Sequence, residues 1–319
     1  MKKSKILISL VAASATYAAV SGAVYYEVMH RKARIPNMVD KKMSEPKGKK
    51  QASDVETSKK EDERLEWIHS RQFEEHEITS DRGVKLKGYF YPAKEPTKVF
   101  VLGAHGYRSS GRGQFRFVAK GLHDMGYNLF FVDHQAAGNS EGKNISFGYH
   151  ESKDLRKWVD YLVQTYGEDI EIILYGISMG SATVMLLSDD ATMKPYVKFI
   201  IADCGFSSMK KELAHNLTSW KIPNQPIIAT ADALGKIIEG YSFKDVLPME
   251  NVKRSQYPIL FIHGGADTFV PTEMVYELYD CCTSEKDLLV VPGAKHADSY
   301  VKSPSEYEEK IRSFSEKYL

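Results

Sequence analysis

The stretch Ile170–Leu187, IEIILYGISMGSATVMLL, decides the fold. Its first part, Ile170 to Gly176, is a short apolar run of the kind that forms a strand buried on both faces. Its last part, Ser181 to Leu187, reads as the opening of a helix. Between them stands Gly176-Ile177-Ser178-Met179-Gly180. Glycine at both ends of this pentad permits a tight turn without Cβ clashes. Such a turn lifts Ser178 at the edge of the sheet, beside the positive end of the following helix. The G-x-S-x-G pattern arises by chance in roughly one chain in ten of this length. Its position between a strand and a helix is what makes Ser178 a candidate nucleophile.

Outward from this turn the same theme repeats. Val99–His105, Leu129–His134, Val197–Asp203, Ile259–Gly264 and Asp287–Gly293 are further apolar runs bounded by glycine or polar residues. Apolar residues at three-to-four spacing predict helices over Phe115–Met125, Glu151–Tyr166, Thr272–Tyr279 and Ser305–Tyr318. His76–Ala93 alternates in two arms around Asp81-Arg82-Gly83 and predicts an antiparallel hairpin. Alternating strand and helix implies a doubly wound α/β domain with a mostly parallel sheet. Between Phe206 and Tyr257 the chain offers helical pieces and no obvious strand. An insertion over about 207–256 is therefore expected to cap the carboxyl ends of the strands. Trp220, Ile222, Pro223, Ile227, Ile228, Leu234 and Ile237 give it apolar surface for an acyl pocket or for packing onto the body.

A serine nucleophile needs a base, and the base needs an orienting acid. His296, in GAKHAD after the last strand, is the candidate base. Asp267, in HGGADTFVP after the preceding strand, is the candidate acid, with a helix N-cap as its alternative role. Asp203, which also ends a strand, is the reserve acid. All lie where a doubly wound sheet places its site, beyond the strands' carboxyl ends. The backbone N–H groups of Met179 and Tyr107 are the expected oxyanion donors, with Gly106 letting the second loop approach. His105 reads as a structural histidine bonded to loop backbone.

HGYRSSG (His105–Gly111), VDHQAAGNSEG (Val132–Gly142), YGISMGSAT (Tyr175–Thr183), ADCGFSS (Ala202–Ser208), PILFIHGGADTFVP (Pro258–Pro271) and GAKHADSY (Gly293–Tyr300) together resemble the α/β-hydrolase superfamily. The chain looks closest to bacterial membrane-anchored hydrolases grouped with serine-aminopeptidase-like and prolyl-oligopeptidase-like enzymes. The resemblance covers about Trp67 to the C-terminus. It implies the α/β-hydrolase fold with a small helical cap and esterase, thioesterase or peptidase chemistry through an acyl-enzyme, without metal or organic cofactor. One departure stands out. Gln135 occupies the place of the family's usual arginine after the strand ending at Asp133, a change expected to act on loop anchoring or substrate choice. The chemistry favours a carboxylic ester or thioester of a small or lipid-like acyl group. An aminopeptidase-like serine peptidase is the alternative, and a non-catalytic membrane-tethered binding module is the third reading.

The bulk numbers fit. In 319 residues, 43% hydrophobic and 27% charged, there is material for an ordinary core. A net charge of +1 gives no basic field for nucleic acid. Three cysteines, Cys204, Cys281 and Cys282, support neither a disulfide framework nor a metal site. Lys2, Lys3 and Lys5 precede an uncharged run, Ile6 to Tyr26, of membrane-spanning length. Residues 1–34 are thus expected to be an uncleaved anchor, or a signal segment cut near Ala13-Ser14-Ala15. Residues 35–64 read as a polar tether, and 65–319 as the hydrolase domain. The basic start suggests an extracytoplasmic domain. On this reading, removal of residues 1–34 should release an active soluble enzyme.

Overall fold

The computed structural model describes residues 21–23, 25–31, 63–64, 66–225 and 227–319. The strands are β1 Glu74–Thr79, β2 Lys85–Tyr91, β3 Val99–Ala104, β4 Asn128–Val132, β5 Glu171–Ile177, β6 Val197–Asp203, β7 Ile259–Gly264 and β8 Lys286–Val291. They form a sheet in the order β1-β2-β4-β3-β5-β6-β7-β8. β1, β2 and β4 pair antiparallel, and all pairs from β4 to β8 are parallel.

Consecutive residues on the central strands enter opposite cores, as a two-residue side-chain period requires. Leu102, Phe130, Leu174, Ile200 and Phe261 pack on one face with Trp158 and Leu162. Val101, Phe131, Ile173, Ile201 and Leu260 pack on the other with Ile311 and Phe314. This two-sided burial explains why the strands read as continuous apolar runs.

The helices are α1 Gly111–Phe115, α2 Ala119–Asp124, α3 Tyr149–Tyr166, α4 Met179–Met185, α5 Met209–Ser219, α6 Ile227–Ile238, α7 Pro248–Val252, α8 Glu273–Cys281, α9 Ser299–Lys302 and α10 Pro304–Tyr318. The helix expected over Phe115–Met125 is instead two short ones. Ser110 Oγ caps the first by accepting from Gly113 N at 3.1 Å, and Asp133 Oδ1 takes Gly111 N at 2.8 Å. Helix formation therefore begins four residues early. The Arg116 guanidinium then captures the Gly113 carbonyl at 2.6 Å, where the first helix ends. Residues 207–256 carry helices and no strand among the described residues.

β3 and β5 are neighbours, and the chain leaves β3 toward β4 on one side and β5 toward β6 on the other. Such a switch point opens a crevice beyond the strand ends. The Gly106–Tyr107 loop and Ser178 stand on its two sides.

Most of the expected anchor and tether, residues 1–20 and 32–62, lies outside the described residues. Among the described residues no helix is long and apolar enough to cross a membrane. Residues 25–29 form a helical turn, and Tyr25 and Met29 are buried against the cap.

Candidate active site

Ser178 begins α4 with φ 58° and ψ −118°, a backbone region that a side chain strains to occupy. The flanking glycines are dictated by close approach. A Cβ on Gly176 would meet the Gly180 carbonyl oxygen at 2.1 Å, and a Cβ on Gly180 would meet that of Ala104 at 1.9 Å. The strained turn is held because Ser178 N donates to the Asp203 carbonyl at 2.8 Å.

The structure brings together the three side chains singled out in the sequence. His296 Nε2 lies 2.8 Å from Ser178 Oγ, and His296 Nδ1 lies 2.7 Å from Asp267 Oδ2. An ionised carboxylate only accepts, so Nδ1 carries the proton and Nε2 is left to accept from the serine hydroxyl. Asp267 Oδ1 accepts from Phe269 N at 2.9 Å and Val270 N at 3.0 Å. His263 Nε2 stands 3.4 Å from Oδ2. Burial alone would raise the Asp267 pKa, but His296 and His263 outweigh it and hold the carboxyl well below its ordinary value. A buried, ionised acid thus fixes the imidazole. The Phe269 ring, 4.9 Å from that of His296, limits it from the side.

Asp203, the reserve acid, faces elsewhere. Its Oδ2 accepts from Tyr307 Oη at 2.7 Å, and Tyr307 is in turn bonded to Tyr175. Burial, partly offset by the Tyr307 hydroxyl, pushes its pKa up to about 6. His105 is buried. Its Nδ1 donates to the Gly106 carbonyl at 2.7 Å and its Nε2 accepts from His134 N at 3.0 Å, which fixes a neutral ring.

The two expected oxyanion donors flank Ser178. Met179 is the first residue of α4. A Cβ on Gly106, which precedes Tyr107, would sit 3.2 Å from Ser178 Cβ, so this loop passes directly over the serine. The Tyr107 ring stacks on Phe147, with centroids 5.3 Å apart. Gln135 Nε2 donates to the Asn144 carbonyl at 3.1 Å and so ties the loop after β4 to the next turn.

Ser178 and Met179 open onto an apolar cavity walled by Phe206, Leu217, Trp220 and Phe269. Of the cap residues noted in the sequence, Trp220, Ile227 and Ile228 line it. Ile222 and Leu234 pack within the cap, whereas Pro223 and Ile237 face solvent. Two features escaped the sequence reading. Glu212 lies in this apolar wall, where burial pushes its pKa up to about 8. The signal was the spacing Glu212, Leu213, Asn216, Leu217, one face of α5, continued by Trp220 at its C-cap. The second is the lining contributed by Tyr25, Val28 and Met29. Among the described residues no cluster of His, Cys, Asp or Glu is arranged to hold a metal. The three cysteines are free, with Cys204 and Cys282 buried.

The family model described as Serine aminopeptidase, S33 matches residues 95–223. Uncharacterized protein YqkD of Bacillus subtilis (strain 168) is 30% identical over 238 residues, covering 74% of this chain and 77% of the relative. The Pyrococcus furiosus esterase Pf2001 superposes with a TM-score of 0.63 at 22% identity, over 86% of this chain and 97% of that one. Est1E of Butyrivibrio proteoclasticus, solved with ferulic acid bound, gives a TM-score of 0.57 at 17% identity, over 75% and 98%. The chain belongs to the α/β-hydrolase superfamily. Its family match makes it a hydrolase.

Proposed function

We propose that this hydrolase cleaves carboxylic esters or thioesters of apolar acyl groups through a serine acyl-enzyme. The carrying observation is the Ser178–His296–Asp267 hydrogen-bonded chain at the mouth of an apolar cavity. His296 Nε2 takes the Ser178 proton as Oγ bonds to the acyl carbon. The oxyanion is held by the N–H groups of Met179 and Tyr107. Collapse breaks the bond to the leaving oxygen or sulfur, which receives that proton from His296. Water, deprotonated by the same imidazole, then releases the acid and restores Ser178. Asp267 holds the tautomer and balances the transient imidazolium.

An aminopeptidase-like reading has one specific support. Glu212 places a carboxyl in the cavity wall, and an ammonium bound beside it would favour its ionised form. The otherwise apolar lining supports the ester reading over this one. The uncharged run Ile6–Tyr26 supports tethering to a membrane.

Fluorophosphonate labelling of the purified protein, with turnover of p-nitrophenyl esters and aminoacyl amides, tests the proposal. Labelling lost in Ser178→Ala and ester turnover exceeding amide turnover are expected. Well-folded wild type that neither labels nor turns over either substrate would move the weight to a binding role, and amide turnover alone would move it to a peptidase.

A further inference from the structure

The segment 25–31 is stitched to the body at several points. The helical turn over 25–29 ends with three consecutive carbonyls, Glu27, Val28 and Met29. Helix-end carbonyls lack partners within the helix, and here the body supplies them. The Arg108 guanidinium donates to Glu27 O. Tyr107 Oη donates to Val28 O at 2.5 Å, and Ile145 N donates to Met29 O at 2.8 Å. Arg31 N then donates to Lys143 O at 2.7 Å, and its guanidinium reaches the Gly138 and Ser140 carbonyls. Tyr25 and Met29, 6% and 1% exposed, pack with Phe206, Leu217, Phe243 and Val270. Tyr25, Val28 and Met29 line the same cavity that Ser178 and Met179 open onto.

We propose that residues 25–31 are a wall of the acyl site, with Val28 and Met29 setting the length of acyl chain accepted and the Val28 carbonyl positioning the Tyr107 loop. This rests on the serine-esterase reading and extends it to medium and long unbranched acyl groups. Two apolar side chains from this segment close a cavity whose other walls are Trp220, Phe206 and Phe269. Removing or enlarging them changes its depth while leaving Ser178, His296 and Asp267 in place. The segment also changes the outlook for truncation. A cut at residue 34 removes part of the pocket along with any anchor.

The test uses the full chain in detergent micelles. Val28→Trp fills the cavity, and Met29→Ala deepens it. Val28→Trp should lower kcat/KM for dodecanoyl esters at least tenfold relative to acetyl esters. Met29→Ala should move the preferred chain at least two carbons longer. Acetyl-ester turnover of the same variant is the reference for each ratio, and circular dichroism and thermal melts establish that both variants fold. Binding of a fluorescent dodecanoic acid, which requires no turnover, should weaken at least tenfold in Val28→Trp. An unchanged chain-length profile with unchanged fatty-acid binding in both folded variants would overturn the wall. Absent labelling of folded wild type would instead overturn the serine-esterase reading, and the fatty-acid binding would still decide the wall.

Discussion

Glu212 and Asn216 lie one turn apart on α5, and Asn216 Nδ2 donates to Glu212 Oε1 at 2.6 Å. Glu212 Oε2 is buried without a partner among the described residues. A carboxyl so placed is poorly solvated when ionised, which is why burial raises its pKa to about 8 from 4.5. The folded state keeps the proton over that interval and the unfolded chain does not. Stability therefore falls as pH rises from about 4.5 to about 8 and is level above. Glu212→Gln retains the acceptor for Asn216 and has no charge to bury. It should match wild type near pH 4.5 and exceed it at pH 9 by on the order of a few kcal/mol. Thermal melts of the pair at both pH values check this, and equal melting points at pH 9 would refute it.

The hydrogen-bonded chain at Ser178 predicts unequal losses of ester turnover. Ser178→Ala and His296→Ala should each lower kcat on the order of 10⁵–10⁶-fold. Asp267→Asn keeps the shape but offers an amide to His296 Nδ1 and disturbs the tautomer, so a loss of roughly 10⁴-fold is expected. The double variant Ser178→Ala/His296→Ala should be no worse than either single one. Additive losses measured in single-turnover assays would argue that the two act separately.

Glycine at 180 is required by contact as well as by the turn. Gly180→Ala drives its Cβ against the Ala104 carbonyl and should destabilise by about 3 kcal/mol or more, with loss of labelling. Gly83→Ala, at φ +74° in open space, strains only the backbone and should lower stability by about 1 kcal/mol with labelling intact. Urea unfolding of both variants separates contact from conformational freedom.

Tyr307→Phe removes the donor to Asp203 Oδ2, whose companion Oδ1 already has no partner among the described residues. The ionised carboxylate loses most, so the Asp203 pKa rises further above about 6 in the variant, and the destabilisation should be smallest below pH 6 and grow to about 1–3 kcal/mol as pH rises past it. A loss independent of pH would mean that Tyr307 acts by packing alone.

What the sequence revealed and what it hid follow from how local each signal was. Ser178 directly follows β5, and Asp267 and His296 lie on the short loops after β7 and β8, and strand runs are visible one segment at a time. The single helix expected at Phe115–Met125 failed because Asp133, just past the end of β4, starts the chain turning at Gly111. The Asp267 carboxylate draws on His263, which reads in sequence only as the end of β7. Val28 and Met29 read as the tail of a membrane segment because their partners, Tyr107 and Ile145, are about eighty residues or more away. Glu212 shares a face with Leu213 and Leu217, but the cavity that this face lines is built by distant segments that no local pattern announces.

The backbone at Ser178 carries a further implication. Its positive φ is a conformation that glycine adopts freely and serine does not, a difference of about 1 kcal/mol. Ser178→Gly would thus relax the turn while abolishing the proposed chemistry, whereas Ser178→Ala would remain as strained as the parent. A drift toward the sturdier inactive molecule is always open by a single codon, so any lineage that keeps this serine must be held there by the work it performs.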